Sequence, residues 1–262
     1  FIFAMREFNR IDNDTFRAAI AFIIARTPEN NSEKALKIRM LQILGQNYDS
    51  LRSELLSSRN ADGGFGFEAG YASDPLSTVD ALEALTAIQY AGDNSIAQAV
   101  FYIMNQVRPD GSMYFTNESN PSYYLINRTL AALYPYRTFQ VGDAANPRPV
   151  SATIDIMLNF LAQSYDETAE RLLLSNDVID EAMTLFSFKL YGRENAKQKI
   201  LNRSLRQKQH SNGSFDENAD SAIQAMLALA EADLEITAVA SSVNLANRSP
   251  ALFTLTINNR GY

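Results

Sequence analysis

A short turn that leads into an aromatic residue and then an alanine-rich apolar stretch occurs three times in this chain of 262 residues. The turns are Asp62-Gly63-Gly64-Phe65, Asp110-Gly111-Ser112-Met113-Tyr114 and Asn212-Gly213-Ser214-Phe215. Their equivalent glycines are 48 and 102 residues apart, and because the second gap is close to twice the first, we expect one further unit that has lost its signature. A period near fifty residues predicts stacked helical hairpins, which bury their apolar faces against one another.

The spacing of apolar residues and helix-capping residues predicts the helices. Asp74-Pro75 and Asn120-Pro121 each place a capping residue before a proline at the first helical position, and Ser32 is the expected cap of an earlier helix. We expect the helices that follow the turns to form an inner ring of an α/α toroid. The predicted helices span about residues 12–26, 32–43, 48–58, 76–90, 94–107, 121–134, 150–165, 177–191, 194–209 and 220–231, with a long loop over 136–149.

The apolar pattern changes from period 3.6 to period 2 after residue 231, which predicts β-strands over residues 234–238 and 252–258. Two strands alone form only a marginal sheet. We therefore expect a helical domain over residues 1–231 and the first strands of a truncated β-sandwich over 232–262. The free edges of residues 233–262 would pack on the helices or pair with another chain.

Composition excludes several classes of function. The 23 Lys and Arg residues against 30 Asp and Glu residues give a net charge of −7, which disfavours nucleic acid as a partner. Cysteine is absent, so disulfides and thiolate chemistry are excluded. No run of eighteen apolar residues occurs, and we expect no membrane insertion. Asn-x-Ser/Thr sequons such as those at Asn127 and Asn202 lie inside predicted helices, so we interpret them as coincidence.

A family resemblance rests on residues 62–67 (DGGFGF), 74–78 (DPLST) and 81–85 (ALEAL). This pattern resembles the prenyltransferase and squalene-cyclase repeat of α/α toroids, and with its degenerate copies it covers roughly residues 30–231. The tail over residues 232–236 and 250–261 resembles the opening strands of bacterial Ig-like cell-adhesion-related (CARDB) domains. The two resemblances together imply a mainly α, toroidal protein of bacteria that is extracellular, periplasmic or attached to the cell surface.

The known functional classes of such toroids need residues that the chain lacks. Toroid prenyltransferases hold zinc with Asp, Cys and His, whereas this chain has no Cys and one His, so we expect no zinc and no other cofactor. Triterpene cyclases use an Asp-x-Asp-Asp acid motif, and complement-type thioester domains use a reactive Cys; both are absent. We interpret His210, which precedes the third turn, as an exposed or capping residue. No catalytic residue is assigned.

Carboxylates near the helix starts and aromatics in the adjacent loops are the candidate binding residues. We expect Phe65 and Phe215 to pack in the core, and capping or solvation explains many of the acids. The leading prediction is a non-catalytic module that binds a carbohydrate, a peptide or a cell-surface ligand; the alternative is a carbohydrate-active lyase or hydrolase that uses paired carboxylates at the toroid mouth. The candidate ligand-binding residues are Tyr71, Asp74, Asp80, Glu83, Tyr114, Tyr123, Tyr124, Asp180 and Asp220; the wider set of acids and aromatics includes Phe67, Phe115, Glu181, Asp216 and Glu217.

Overall fold

The computed structural model of the chain describes residues 14–115, 118–142, 146–166, 168, 171–175, 177–193, 196–211, 215, 223–225 and 228–229. Within these ranges the chain is mainly helical, as the sequence predicts. The helices are α1 (Asp14–Ala25), α2 (Asn31–Ile43), α3 (Asp49–Ser57), α4 (Pro75–Ala87), α5 (Ser95–Gln106), α6 (Tyr123–Leu133), α7 (Val150–Gln163), α8 (Val178–Leu190) and α9 (Ala196–Lys208). Asp220 and the predicted strands over 234–238 and 252–258 lie outside the described residues.

Alternate helices pack into two rows. In the first row, α2 contacts α4, α4 contacts α6, and α6 contacts α8. In the second row, α3, α5, α7 and α9 each pack on the first-row helix that precedes them in the chain. Because each hairpin buries its apolar side against the next one, a first-row helix such as α4 has eight buried residues, including Val79, Leu82 and Leu85.

Polar side chains start the first-row helices, although two of the caps differ from the prediction. Asp74 caps α4 as expected, with its carboxylate accepting from the Ser77 N–H at 2.8 Å. Helix α2 is capped by Asn30 rather than Ser32, and α6 by Ser122 rather than Asn120. In both cases the side chain of the residue just before the helix accepts a hydrogen bond from an N–H group of the first turn. This is the geometric requirement of an N-cap.

Helix α4 ends at Ala87, three residues before the predicted end. Gln89 adopts a φ of +52°, and the Tyr90 N–H donates to the Leu85 carbonyl at 2.9 Å. This is a left-handed C-terminal turn of the kind that glycine usually forms. Glutamine gives no such signal in a sequence, so the prediction continued the helix towards Gly92.

Each described turn is held by the same side-chain hydrogen bond. Asp62 accepts from the Gly64 N–H, and Asp110 from the Ser112 N–H, both at 2.9 Å. Gly63 and Gly111 have φ values of +87° and +90°, which confirms the expected positive φ. The unit without a signature is also found: Asp166 accepts from the Thr168 N–H at 2.9 Å, and no glycine is present there.

In the described part of the chain, two short antiparallel ladders interrupt the helices. Strand β1 (Gln140–Val141) pairs with β2 (Arg148–Pro149), within the segment that was predicted to be a loop, and it follows a 3-10 turn at Tyr134–Tyr136. Strand β3 (Tyr165–Asp166) pairs with β4 (Arg171–Leu172) at the turn that lacks glycine. Single bridges join Arg59 to Phe65 and Gln209 to Phe215 at the corresponding places of other units.

The residue that follows each turn closes the core between hairpins. Phe65, Met113, Leu172 and Phe215 are all completely buried, which confirms the expectation for Phe65 and Phe215. Their burial excludes water from the ends of the first-row helices. Among the described residues, no helix is long and apolar enough to cross a membrane.

Candidate functional site

An ionic network joins three neighbouring helices of the first row. Arg39 lies on α2, Asp80 and Glu83 lie one turn apart on α4, and Tyr124 and Arg128 lie one turn apart on α6. Residues three or four apart lie on the same face of a helix. The polar residues of α4 and α6 can therefore meet side by side in an otherwise alanine-rich and leucine-rich row.

The repeat explains why these charges are neighbours. Arg39 and Glu83 are each nine residues after the N-cap of their own helix, and Asp80 and Arg128 are each six residues after theirs. First-row helices pack side by side, and the Arg39–Glu83 and Arg128–Asp80 pairs place residues at the same repeat position next to each other. The Arg39–Glu83 and Arg128–Asp80 pairs thus join one position of the repeat to the same position in the next unit, whereas the Arg128–Glu83 pair joins two different positions.

Arg128 connects the network through both ends of its guanidinium. Its Nη2 donates to Asp80 Oδ1 at 2.7 Å and to Glu83 Oε2 at 3.0 Å, while Nη1 donates to the Tyr124 hydroxyl at 3.0 Å. Arg39 Nη1 donates to the same Glu83 Oε2. Two cations therefore face two carboxylates, and hydrogen bonds to ionised partners are the stronger class.

Partial burial sets the electrostatics of this network. The four ionic side chains are only 15% to 26% exposed, so water screens them less than a surface pair. Burial is the largest influence on Asp80 and raises the pKa of its carboxyl above the usual value, although the Arg128 guanidinium opposes that shift. Burial lowers the pKa of Arg128, but the Glu83 and Asp80 carboxylates raise it more, so the net shift is upward and the guanidinium stays charged.

A groove of about 390 Å³ lies beside the network, between α2, α4 and α6. Arg39 and Glu83 form part of both the network and the groove wall. Thr86, in the groove wall, lies with its hydroxyl 2.6 Å from the Tyr136 hydroxyl. The groove is lined by Arg39, Gln42, Ile43, Glu83, Thr86, Ala87, Ala131, Ala132 and Pro135.

Three of the predicted candidates meet at the network, namely Asp80, Glu83 and Tyr124. Tyr71 and Asp74 lie instead in the segment between α3 and α4. Tyr71 is 58% exposed, and its carbonyl accepts from Asn60 Nδ2 at 2.8 Å. Asp74 is occupied as the N-cap of α4, so its carboxylate has a structural partner.

The remaining aromatic candidates lie at the next unit. The Arg108 guanidinium stacks over the Tyr114 ring, 3.6 Å from its centroid, which is a cation–π contact. Tyr123 is buried at the start of α6, its ring centroid is 6.2 Å from that of Phe160, and burial raises its pKa. Neither Tyr114 nor Tyr123 lines the groove.

Two acids at the start of α8 differ sharply in their surroundings. Burial raises the pKa of Asp180, as do the nearby Asp177 and Glu181, while a hydrogen bond with Ser175 lowers it. Glu181 is fully buried, where its Oε1 pairs with Lys208 Nζ at 2.9 Å and its Oε2 accepts from Ser204 Oγ at 3.0 Å. Glu181 therefore fastens α9 to α8, and Asp180 is not part of the groove wall.

Sequence reasoning missed the two arginines because the search considered only acids and aromatics. The signal was available, since opposite charges occupy the same repeat position in successive units. His210 is exposed just beyond the end of α9, as expected. In the part of the chain that the structure describes, no group of three or more His, Cys, Asp or Glu side chains is arranged to hold a metal ion.

Comparison with known proteins gives a structural likeness only. No protein-family model matches the chain, and no curated protein matches it. The solved structures that it resembles include native alpha-2-macroglobulin from Escherichia coli, spanning the residues from domain MG7 to the C-terminus, with 15% sequence identity and a TM-score of 0.41. The likeness covers 80% of this chain and 40% of that one, so this chain spans two fifths of the length of that structure.

Proposed function

We propose that this chain is a non-catalytic ligand-binding module of a secreted or surface-attached bacterial protein, and that the groove between α2, α4 and α6 is its binding site. The observation that carries the proposal is the groove itself. Its volume of about 390 Å³ falls within the range of small-molecule sites. Its wall combines apolar alanine and proline surface with a small number of polar groups, which is the usual composition of such sites.

The polar groups of the wall favour a ligand without net charge. Arg39 and Glu83 are already paired, so an ionic ligand would have to compete with that pair. Breaking one partner of a partly buried ion pair leaves an uncompensated charge, which is costly. Hydroxyl or amide groups can instead bond to the outer edges of the pair and to Gln42. A neutral oligosaccharide or a short peptide segment has this chemistry.

The proposed architecture is an α/α toroid of helical hairpins over residues 1–231, with the groove on its inner side, followed by an Ig-like, CARDB-like segment over 232–262. The side-by-side packing of α2, α4, α6 and α8 supports the toroid. The resemblance of residues 232–236 and 250–261 to extracellular domains supports a secreted or surface location. Pairing of residues 233–262 with a strand of another chain belongs to the same proposal.

One observation favours the alternative, a lyase or hydrolase. Asp80 and Glu83 both accept from the same Arg128 nitrogen, so their bonded oxygens are at most about 6 Å apart, a limit that allows the roughly 5 to 5.5 Å separation of retaining glycosidases. The raised pKa of Asp80 suits a general acid. We favour binding, because Arg128 occupies an oxygen of each carboxylate that a reaction would need.

A screen of neutral oligosaccharides and short peptides by glycan array, peptide array and calorimetry tests the proposal. Ala131→Leu places a larger side chain in the groove and leaves the residues of the ionic network unchanged. The matched control is Ala21→Leu, on the exposed side of α1. We expect a ligand whose affinity falls at least tenfold in Ala131→Leu and less than twofold in Ala21→Leu, with the melting temperatures unchanged.

Two results would overturn the proposal. If no ligand is found whose binding Ala131→Leu weakens, the groove is not the binding site. If a bound oligosaccharide is instead cleaved, and Glu83→Gln abolishes the cleavage while leaving the fold intact, the chain is an enzyme.

A further inference from the structure

The segment that leads from the first turn into α4 presents two aromatic side chains to solvent. Phe67 is 51% exposed and Tyr71 is 58% exposed, although the nearby Phe65 is completely buried. Glu68, which lies between the two in the sequence, is also exposed. We call residues 66–72 the aromatic loop. It places two rings and a carboxylate within five residues of each other on the surface.

Hydrogen bonds and a close backbone contact close the aromatic loop into a tight turn. The Tyr71 N–H donates to the Glu68 carbonyl at 3.1 Å, and Gly70 has a φ of +84°, as in a type II turn. A Cβ atom on Gly66 would lie 2.6 Å from the Tyr71 carbonyl oxygen, so the two arms of the loop are in contact. Because the backbone is already ordered, a ligand of this loop would not have to order it on binding.

Two asparagine side chains anchor the aromatic loop to the helical hairpins. Asn31 donates from its Nδ2 to the Gly66 carbonyl at 2.9 Å, and its N–H donates to the Phe67 carbonyl at 2.8 Å. Asn60 Nδ2 donates to the Tyr71 carbonyl at 2.8 Å. The loop therefore lies at the first turn of α2, whereas the groove residues of α2 begin eight residues later, about 12 Å along the helix.

The equivalent turn of the next unit shows what covers an aromatic ring at this place. Asn60 and Arg108 each lie two residues before the aspartate of their turn. Their N–H groups donate to equivalent carbonyls, those of Gly64 and Ser112, at 2.9 and 3.0 Å. The Arg108 guanidinium lies over the Tyr114 ring. In the first unit this position is an asparagine whose side chain bonds to the loop backbone, so the chain supplies no guanidinium from there.

The charge around the aromatic loop favours a cation. Residues 60–107 contain six carboxylates and no Lys or Arg. Asp80 and Glu83 are neutralised by arginines of neighbouring helices. Within the described part of the chain, the Glu68 carboxylate has no hydrogen bond or ion pair, and neither exposed ring stacks on another ring or on a cation. The loop thus offers two π faces and an unpaired carboxylate.

We propose that the aromatic loop binds an arginine side chain of a basic peptide segment, at a second site that is separate from the groove. A guanidinium is planar, so it can stack on an aromatic face while its N–H groups donate to the Glu68 carboxylate. The ammonium of lysine is more strongly hydrated and has no flat face to stack. A neutral sugar could contact the rings, but its hydroxyls gain less from a carboxylate than an ionised donor does.

Titration of the ¹⁵N-labelled protein with the peptide acetyl-GRGRG-amide at 50 mM salt, followed by NMR, tests the proposal. We expect amide signals of the aromatic loop to shift and those of the groove residues to stay unchanged. Glu68→Gln should weaken the affinity about fivefold or more, because it removes the ionised acceptor. Phe67→Ala combined with Tyr71→Ala should weaken it about fivefold or more, because it removes both π faces.

Matched controls make the same changes elsewhere on the surface. Glu118→Gln removes the same charge from an exposed position, and Phe22→Ala removes a ring that is 62% exposed. Each control should lose less than about twofold, because long-range attraction between exposed charges is largely screened by salt. Phe67→Tyr keeps the π face and should bind like the unaltered protein. A melting temperature for each variant checks that it is folded.

Peptides of the same length separate the guanidinium from charge alone. We expect acetyl-GKGKG-amide to bind about threefold more weakly or worse, and acetyl-GQGQG-amide to give no loop shifts. The proposal is wrong if acetyl-GRGRG-amide leaves the loop signals unchanged, or if the loop variants and their controls lose affinity equally. It is also wrong if the lysine peptide, the glutamine peptide or maltohexaose binds the loop as tightly as the arginine peptide.

Discussion

At the scale of single residues, the glycine-containing turns of the repeat combine two separate requirements. One is a side-chain oxygen that accepts an N–H two residues later, which Asp62, Asp110 and Asp166 all provide. The other is space for the neighbouring helix. A Cβ atom on Gly111 would lie 2.4 Å from the Ile156 carbonyl oxygen, so glycine is needed there for close packing as well as for its φ of +90°.

Substituting Gly111→Ala and Gly70→Ala separates these effects. Both glycines have a similar positive φ, but a Cβ on Gly70 would have no atom within 4 Å. We expect Gly70→Ala to cost about 1 kcal/mol through backbone strain, and Gly111→Ala about 2 kcal/mol more through overpacking against α7. Urea unfolding measures both. Equal losses would show that packing at Gly111 adds nothing.

The sequence prediction selected the acids of the ionic network but not their basic partners. Asp80 and Glu83 were predicted because carboxylates near a helix start form a local sequence pattern. Their arginines lie 44 and 48 residues away along the chain, on neighbouring helices. A local sequence pattern does not reveal an ion pair between residues so far apart in the chain. Comparison of equivalent positions in successive units of the repeat does reveal it.

At the scale of helices, buried polar bonds join α6 to α8. Asn127 is almost fully buried; its Nδ2 donates to Thr184 Oγ1 at 3.0 Å, and its Oδ1 accepts from Ser187 Oγ at 2.8 Å. A satisfied buried amide specifies how two helices align, because any sliding leaves polar groups without partners. Burial also makes this sequon unavailable for modification in the folded protein, in agreement with its interpretation as coincidence.

Asn127→Ala should therefore destabilise the protein by about 2 to 3 kcal/mol, since it leaves two buried hydroxyls without their partner. Ser187→Ala alone should cost less. The double variant should lose at least about 1 kcal/mol less than the sum of the two single changes. Denaturant unfolding of the four proteins gives the coupling, and strict additivity would argue against a shared network.

Helix order was predictable, whereas helix ends were less so. Apolar periodicity and caps such as Asp74 give the number and sequence of the described helices because these signals are local. The end of α4 depends on Gln89 in a left-handed conformation, and the β1–β2 ladder depends on pairing between Val141 and Arg148. Both are decided by tertiary packing that a single sequence does not show.

At the scale of the whole molecule, the two rows predict a gradient of local stability. Helix α4 contacts α2, α5 and α6, whereas α1 contacts α2 and exposes Phe22 at 62%. In a stack of hairpins, each unit is stabilised mainly by its neighbours. Units with a neighbour on each side should therefore open least often.

Hydrogen exchange followed by mass spectrometry measures this gradient. We expect amides of α4 and α6 to be protected at least a hundredfold more than those of α1. Uniform protection across these helices would mean that the described chain opens only as one cooperative unit.

The turn at Asp166 has a consequence for how the copies of this repeat can be recognised. There the aspartate hydrogen bond to Thr168 persists although the glycine signature is gone. The feature that this turn shares with the turns at Asp62 and Asp110 is an acceptor oxygen, which Asp, Asn or Ser can each supply, rather than a particular residue string. A motif search that requires glycine misses this turn, whereas a search for an acceptor side chain at the start of the turn includes it.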